Sequence, residues 1–189
     1  MIKATDKLVL ALDVDTKEEA RQIVYELKDY MGTFKIGLQL FSKEGPEIVK
    51  MIQDEGCKVF FDGKFHDIPN TVAKASANVV KLGVNIFDVH ITGGSKMLKA
   101  SSDIAKTTAL EMGLPEPIIL GISSLSSIDQ QLLTNELKVN MDINEYVVKL
   151  ALLGKNNGLT GVVASVNEAQ NIRKACGEDF IILCPGIRP

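Results

Sequence analysis

Short apolar segments alternate with amphipathic segments along the chain, and few residues separate them. Continuous apolar runs of this length are typical of strands that are covered on both faces, as in a parallel sheet. They predict seven strands, at residues 8–14, 33–40, 58–65, 86–92, 117–123, 159–164 and 180–184.

The segments between the strands carry helix signals. Thr16 and Glu19 have the spacing of a capping box, and Ala20, Val24 and Leu27 follow at helical intervals. Further helices are predicted at residues 42–55, 70–82, 95–112, 142–153 and 167–175, with an irregular, partly helical piece at residues 127–140.

Alternation of strands and helices predicts a parallel α/β sheet with right-handed crossovers. We expect a (β/α)8 TIM barrel in a single domain over residues 1–189, with seven βα units visible in the sequence. A doubly wound open sheet is the alternative. It is weakened because no Gly-x-Gly-x-x-Gly motif follows the first strand and no P-loop lysine motif occurs.

Composition narrows the class of function. The chain of 189 residues has a net charge of −3, which argues against general nucleic-acid binding but leaves room for a small anionic ligand. No apolar run approaches the roughly 20 residues of a membrane helix, and the first run is too short for a signal peptide, so a cytoplasmic location is expected. Three cysteines show no paired or metal-type spacing, and two histidines are too few for a histidine-rich metal site.

The most informative stretch is residues 60–71, FFDGKFHDIPNT, in which charges interrupt a buried strand. Buried charges need partners or a function. Asp62, Lys64 and His66 share parity, so we expect them on one face of the strand. Since parallel barrel strands are covered on both faces, a merely solvated face explains Asp62 and Lys64 poorly, although a structural salt bridge remains the alternative. For His66, a hydrogen-bonded structural role is the alternative to a catalytic one.

Other charges lie near the ends of neighbouring strands: Asp13 on the first, Lys35 on the second and Asp88 on the fourth. The carboxyl ends of barrel strands line the active-site mouth, so these groups are predicted to converge, with Asp88 in a supporting position. Arg188, after the seventh strand, suits a phosphate site, with an exposed loop arginine as the alternative.

These motifs resemble the orotidine 5′-phosphate decarboxylase family of bacterial type. The resemblance runs along the whole chain, through LALD at residues 10–13, FKIG at 34–37, DGKFHDIPNTV at 62–72, SSLSS at 123–127 and PGIR at 185–188. The pattern Asp-x-Lys-x-x-Asp alone is shared with sugar-phosphate decarboxylases and aldolase-like relatives. Its continuation His-Asp-Ile-Pro-Asn-Thr favours the orotidylate enzyme.

The resemblance implies decarboxylation of orotidine 5′-phosphate to UMP in pyrimidine biosynthesis, with no cofactor and no metal. It implies that Lys64 donates a proton to C6 of the pyrimidine and that Asp62 holds Lys64 beside the substrate carboxylate. It further implies that Lys35 bridges Asp62 and a ribose hydroxyl, and that Asp13 binds the ribose.

The resemblance also implies contributions from other segments. In a homodimer, Asp67 would complete the charge array of the neighbouring site, with Ile68 and Thr71 crossing the interface. Ser126 is expected to contact the pyrimidine, Pro185 to line the ligand and Arg188 to face the phosphate.

The sequence also departs from the family pattern. An eighth strand and a C-terminal phosphate loop are absent after Pro189, so we expect a C-terminally incomplete chain of an ordinary enzyme. If 189 residues were the whole protein, a non-catalytic barrel fragment would be the alternative. A second alternative function is that of a Mg²⁺-dependent keto-gulonate-phosphate-type decarboxylase. Gly63 stands where leucine is commoner, and this difference should be tolerated.

Overall fold

A computed structural model describes residues 4–187 of the chain. Seven strands occur among them, each followed by helical structure except the last. They are β1 (Val9–Ala11), β2 (Thr33–Gly37), β3 (Lys58–Phe65), β4 (Ile86–His90), β5 (Ile118–Ile122), β6 (Gly161–Val163) and β7 (Ile181–Leu183).

Eight α-helices of the described residues connect and flank these strands. They are α1 (Lys17–Leu27), α2 (Leu38–Glu44), α3 (Glu47–Asp54), α4 (Pro69–Lys81), α5 (Gly94–Met112), α6 (Gln130–Asn135), α7 (Ile143–Asn156) and α8 (Val166–Cys176). The predicted capping box of α1 is confirmed, since Thr16 accepts a hydrogen bond from Glu19 N–H and the Glu19 carboxylate accepts one from Thr16 N–H.

The sheet follows the order of the chain, β1-β2-β3-β4-β5-β6-β7. Its register is parallel in the pairs β1–β2, β2–β3, β5–β6 and β6–β7. Sequential parallel strands joined by helices confirm the predicted α/β class, and they exclude the strand-order reversal of a doubly wound sheet.

Two boundaries predicted for the second strand and the helix after it are wrong. The strand ends at Gly37 instead of residue 40, and the single helix predicted at 42–55 is two helices, α2 and α3. Gly45 separates them with φ at 65°, a left-handed conformation that glycine adopts at low cost. Pro46 follows, and because it lacks an N–H it begins a new helix rather than continuing the old one.

The described residues group into two compact units. The first comprises residues up to Gly63 with Ala75–Phe87 and Ala105–Pro117, and the second comprises Lys64–Lys74, Asp88–Ile104 and the residues from Ile118 onward. The expectation of one domain over the whole chain stays a prediction. Within the described part of the chain, no helix combines the length and the apolar character that crossing a membrane requires.

Candidate functional site

Three of the predicted site residues meet in the first unit around the ammonium of Lys35. Its Nζ atom lies 3.2 Å from Oδ2 of Asp62 and 3.5 Å from Oδ1 of Asp13. The sheet register explains this proximity, because Lys35 on β2 pairs with Ala11 on β1 and Gly37 pairs with Asp62 on β3. Three successive strands therefore bring a lysine and two aspartates together at their carboxyl ends.

The members of this cluster differ in exposure. The side chains of Lys35 and Asp62 are 19% and 14% exposed, whereas that of Asp13 is 73% exposed. Charges that are largely withdrawn from water require each other, because an unpaired one keeps its desolvation penalty. The Lys35–Asp62 pair is thus the fixed part of the cluster, and Asp13 is its solvent-facing member.

The loop that carries Asp13 is held by α2, whose first residues were predicted as the end of a strand. Gln39 donates a hydrogen bond of 2.6 Å to Oδ1 of Asp15, and Lys43 donates one of 2.6 Å to the Asp15 carbonyl. Gly37 lies beside this cluster, since a Cβ there would be in ordinary contact with Nζ of Lys35 at 3.4 Å and with Oδ1 of Asp13 at 3.9 Å.

Lys64 lies in the second unit and has an unusual backbone. Its φ is 49°, in the left-handed region, where a residue with a side chain incurs a cost of roughly 1–2 kcal/mol. Its N–H donates a hydrogen bond of 2.7 Å to Oδ1 of Asp88, a residue that is only 1% exposed. An intramolecular hydrogen bond contributes about 0.5–1.5 kcal/mol, which offsets much of that strain.

This conformation corrects the parity argument. Strand alternation requires extended backbone, and it is interrupted at Lys64. His66 lies beyond the end of β3 at Phe65. Parity therefore does not carry from Asp62 through to His66, whose ring stacks on that of His90 with centroids 5.1 Å apart.

The residues predicted to reach a neighbouring subunit lie between β3 and the first turns of α4. Asp67, Ile68 and Thr71 are all exposed, and Ile68 is 66% exposed. The Asp67 carboxylate accepts a hydrogen bond of 2.6 Å from Ile68 N–H, which fixes the start of this segment.

The remaining predicted ligand contacts follow later strands. Ser126 lies in an exposed turn after β5, and Pro185 is exposed after β7. Arg188, predicted to face a phosphate, lies outside the described residues.

The cysteines are placed as small half-buried or buried side chains. Burial raises the pKa of the thiols of Cys57, Cys176 and Cys184. Within residues 4–187, no three or more His, Cys, Asp or Glu side chains form a group that could hold a metal ion.

A parallel α/β fold with opposed charges at the carboxyl ends of its first strands defines an enzyme of the barrel class. The chain belongs to the orotidine 5′-phosphate decarboxylase / HUMPS family, whose model matches residues 6–189. This membership confirms the family that the sequence motifs indicated.

Individual relatives agree with this membership. The chain is 42% identical over 186 residues to an orotidine 5′-phosphate decarboxylase of Moorella thermoacetica, covering 98% of this chain and 74% of the relative. It is 43% identical over 189 residues to the protein of that name in Syntrophotalea carbinolica, covering 100% of this chain and 77% of the relative.

Solved structures support the fold. The crystal structure of orotidine 5′-phosphate decarboxylase from Lactobacillus acidophilus matches with a TM-score of 0.89 and 34% identity, over 96% of this chain and 81% of that one. An uncharacterized conserved protein from Geobacillus kaustophilus matches with a TM-score of 0.89 and 33% identity, over 94% and 82% of the two chains. The predicted barrel-type fold class is confirmed.

Proposed function

We propose that the protein is a carboxy-lyase that converts orotidine 5′-phosphate to UMP without a cofactor. The observation that carries the proposal is the largely buried Lys35–Asp62 ion pair, with Asp13 on its solvent-facing side. Withdrawing such a pair from water is costly, and a catalytic site is a reason for retaining it. The names of the relatives support the same reaction.

The chemistry requires stabilisation of a carbanion-like centre. When CO₂ leaves, the electron pair of the broken C–C bond stays at C6 of the pyrimidine, and a C–H bond then forms there. In this proposal the Lys64 ammonium supplies that proton and becomes a neutral amine. A preorganised ammonium aimed at the developing charge stabilises the transition state more than the ground state.

The neighbouring charges keep this ammonium in place. Asp62 lies beside the substrate carboxylate and holds Lys64, and Lys35 links Asp62 to a ribose hydroxyl. Asp13, which is 73% exposed, binds the ribose from the open side of the cluster. Ser126 contacts the pyrimidine, Pro185 lines the ligand, and Arg188 pairs with the phosphate, a group that suits guanidinium geometry.

The protein is also proposed to act as a homodimer. The exposed segment with Asp67, Ile68 and Thr71 would reach the second copy, so that Asp67 joins Lys35, Asp62 and Lys64 in one four-charge array. The 66% exposure of Ile68 supports this arrangement, because an apolar side chain that projects from a helix start is suited to burial by a partner.

The reaction is tested by following the loss of orotate absorbance when the full-length protein meets orotidine 5′-phosphate. Lys64→Ala should abolish turnover, while Lys99→Ala, which removes an exposed lysine of α5, should leave it unchanged. Turnover is expected to persist in EDTA. An inactive wild-type protein, or Mg²⁺-dependent action on a keto-sugar phosphate instead, would contradict the proposal.

The shared site is tested by mixing two inactive variants, Lys64→Ala and Asp67→Asn, under conditions that exchange subunits. If each site takes Lys64 from one chain and Asp67 from the other, heterodimers contain one intact site. Random exchange should then restore about a quarter of the wild-type activity, as the symmetry of a twofold dimer requires. No recovery after verified exchange would place both residues in the same chain's site.

A further inference from the structure

The described residues contain two non-glycine residues with positive φ, Lys64 and Lys138. Lys138 lies in an exposed loop after α6, where backbone freedom is ordinary. Lys64, in contrast, is a half-buried residue inside β3, at the position of the proposed proton donor. A strained backbone at such a position persists only where its surroundings fix it.

Asp88 supplies the contact that fixes it. This residue lies on β4, is 1% exposed, and accepts the Lys64 N–H at 2.7 Å through Oδ1. An N–H inside a sheet normally donates to a backbone carbonyl of a neighbouring strand. Here a buried side chain accepts this N–H, at a residue whose backbone departs from the extended conformation.

We infer that Asp88 is a positioning residue, which sets the direction of the Lys64 side chain by holding its backbone N–H. The Cα–Cβ direction of a residue follows from its backbone angles, so a return of Lys64 to extended φ would aim its ammonium elsewhere. The inference rests on the proposed function of Lys64. It goes beyond the charge array, because Asp88 acts through the backbone and needs only an acceptor oxygen.

This requirement separates two variants of similar size. Asp88→Asn keeps the Oδ1 acceptor and loses the negative charge, whereas Asp88→Leu loses both. Asp103→Asn, which makes the acid-to-amide change on exposed α5, is the matched control. A misplacement of about 1 Å in a catalytic group costs roughly 100-fold in rate. We therefore expect kcat of Asp88→Leu to fall about 100-fold with KM within a few-fold of wild type, and Asp88→Asn to recover most of that loss.

A second measurement does not depend on turnover. In protein labelled with ¹⁵N-lysine, the Lys64 amide should resonate downfield and exchange slowly with solvent in wild type and Asp88→Asn, and lose both properties in Asp88→Leu. If wild type is inactive towards orotidine 5′-phosphate, the proposed function fails and this amide still decides the backbone contact. If Asp88→Leu does not fold, amide protection in wild type and the kcat of Asp88→Asn decide it.

Three outcomes would overturn the inference. The first is a folded Asp88→Leu variant with wild-type kcat. The second is an Asp88→Asn variant as impaired as Asp88→Leu, which would mean that the charge matters rather than the acceptor. The third is a Lys64 amide that exchanges in wild type as fast as an unprotected loop amide.

Discussion

The Lys35–Asp62 pair and the Lys99–Asp103 pair differ in burial but hardly in geometry. Their Nζ–Oδ2 distances are 3.2 Å and 3.1 Å, yet the Lys99 and Asp103 side chains are 68% and 60% exposed. Solvent screens the exposed pair, whereas the buried carboxylate depends on its ammonium. Burial, rather than contact distance, decides what each pair contributes to stability.

We predict that Lys35→Met lowers the free energy of unfolding by about 1–3 kcal/mol, because Asp62 then stays buried without this partner. Lys99→Met should change it by less than about 0.5 kcal/mol. Urea unfolding of both variants measures the difference. Equal, small effects would show that Asp62 is solvated in solution.

The absence of a side chain at Gly63 makes room for the neighbouring Phe61 ring. A Cβ at this position would lie 2.8 Å from Cζ of Phe61 and still closer to Cε1. The Phe61 ring is 4% exposed and packs edge-on against Phe41 at a centroid distance of 4.6 Å. Phe61 therefore occupies the space that a side chain at position 63 would fill, on the face of β3 away from Asp62.

We predict that Gly63→Ala destabilises the protein by about 1–3 kcal/mol, the usual cost of overpacking. Adding Phe61→Leu, which shortens the ring to a branched chain, should recover part of this loss. Thermal or urea unfolding of the two single variants and the double variant measures the coupling. Strictly additive effects would mean that the Phe61 ring moves aside freely.

At the scale of elements, α1 depends on its first turn. The Thr16 hydroxyl accepts the Glu19 N–H at 3.2 Å, and the Glu19 carboxylate accepts the N–H groups of Asp15 and Thr16. Through this turn the helix places Ala20 and Val24 in the core. The same turn follows directly on the loop that carries Asp13.

We predict that Thr16→Ala lowers the free energy of unfolding by about 1 kcal/mol, whereas Thr16→Ser retains most of the stability because serine caps equally well. Chemical denaturation with circular dichroism compares the two. A serine variant as unstable as the alanine variant would assign the effect to the threonine methyl group rather than to the cap.

The sequence predicted elements best where local signals suffice. The capping box of α1 forms the predicted hydrogen bonds, and β3 has the predicted bounds, residues 58–65. Residues 38–40 were predicted as strand because Leu38, Gln39 and Leu40 fit a short alternating pattern as well as a helix. Tertiary packing decides whether such a short segment becomes strand or helix. Here the segment is helical, and Leu40 is buried as part of α2.

The candidate site was predictable to a similar extent. Charges at successive strand ends placed Asp13, Lys35 and Asp62 together, because parallel strands in sequential order bring their carboxyl ends to one edge. The left-handed backbone of Lys64 was not predictable, since it depends on a carboxylate 24 residues further along the chain. Lysine has no intrinsic preference for the left-handed conformation.

At the scale of the whole molecule, the chain passes repeatedly between the two compact units. Four elements are divided by the boundary between the units: β3 after Gly63, α4 before Ala75, β4 after Phe87 and α5 before Ala105. A unit that unfolded alone would have to break these helices and strands in the middle. Domain boundaries normally fall in exposed linkers instead.

We therefore predict a single cooperative unfolding transition, as expected for one domain. Differential scanning calorimetry should give equal calorimetric and van't Hoff enthalpies, with a total near 130 kcal/mol if each residue contributes about 0.7 kcal/mol. Measurements at several protein concentrations separate unfolding from subunit dissociation, which shifts the midpoint with concentration. Two resolved transitions, or a van't Hoff enthalpy far below the calorimetric one at every concentration, would show that the units unfold separately. A van't Hoff enthalpy far above the calorimetric one would show that the chains unfold only as an assembly.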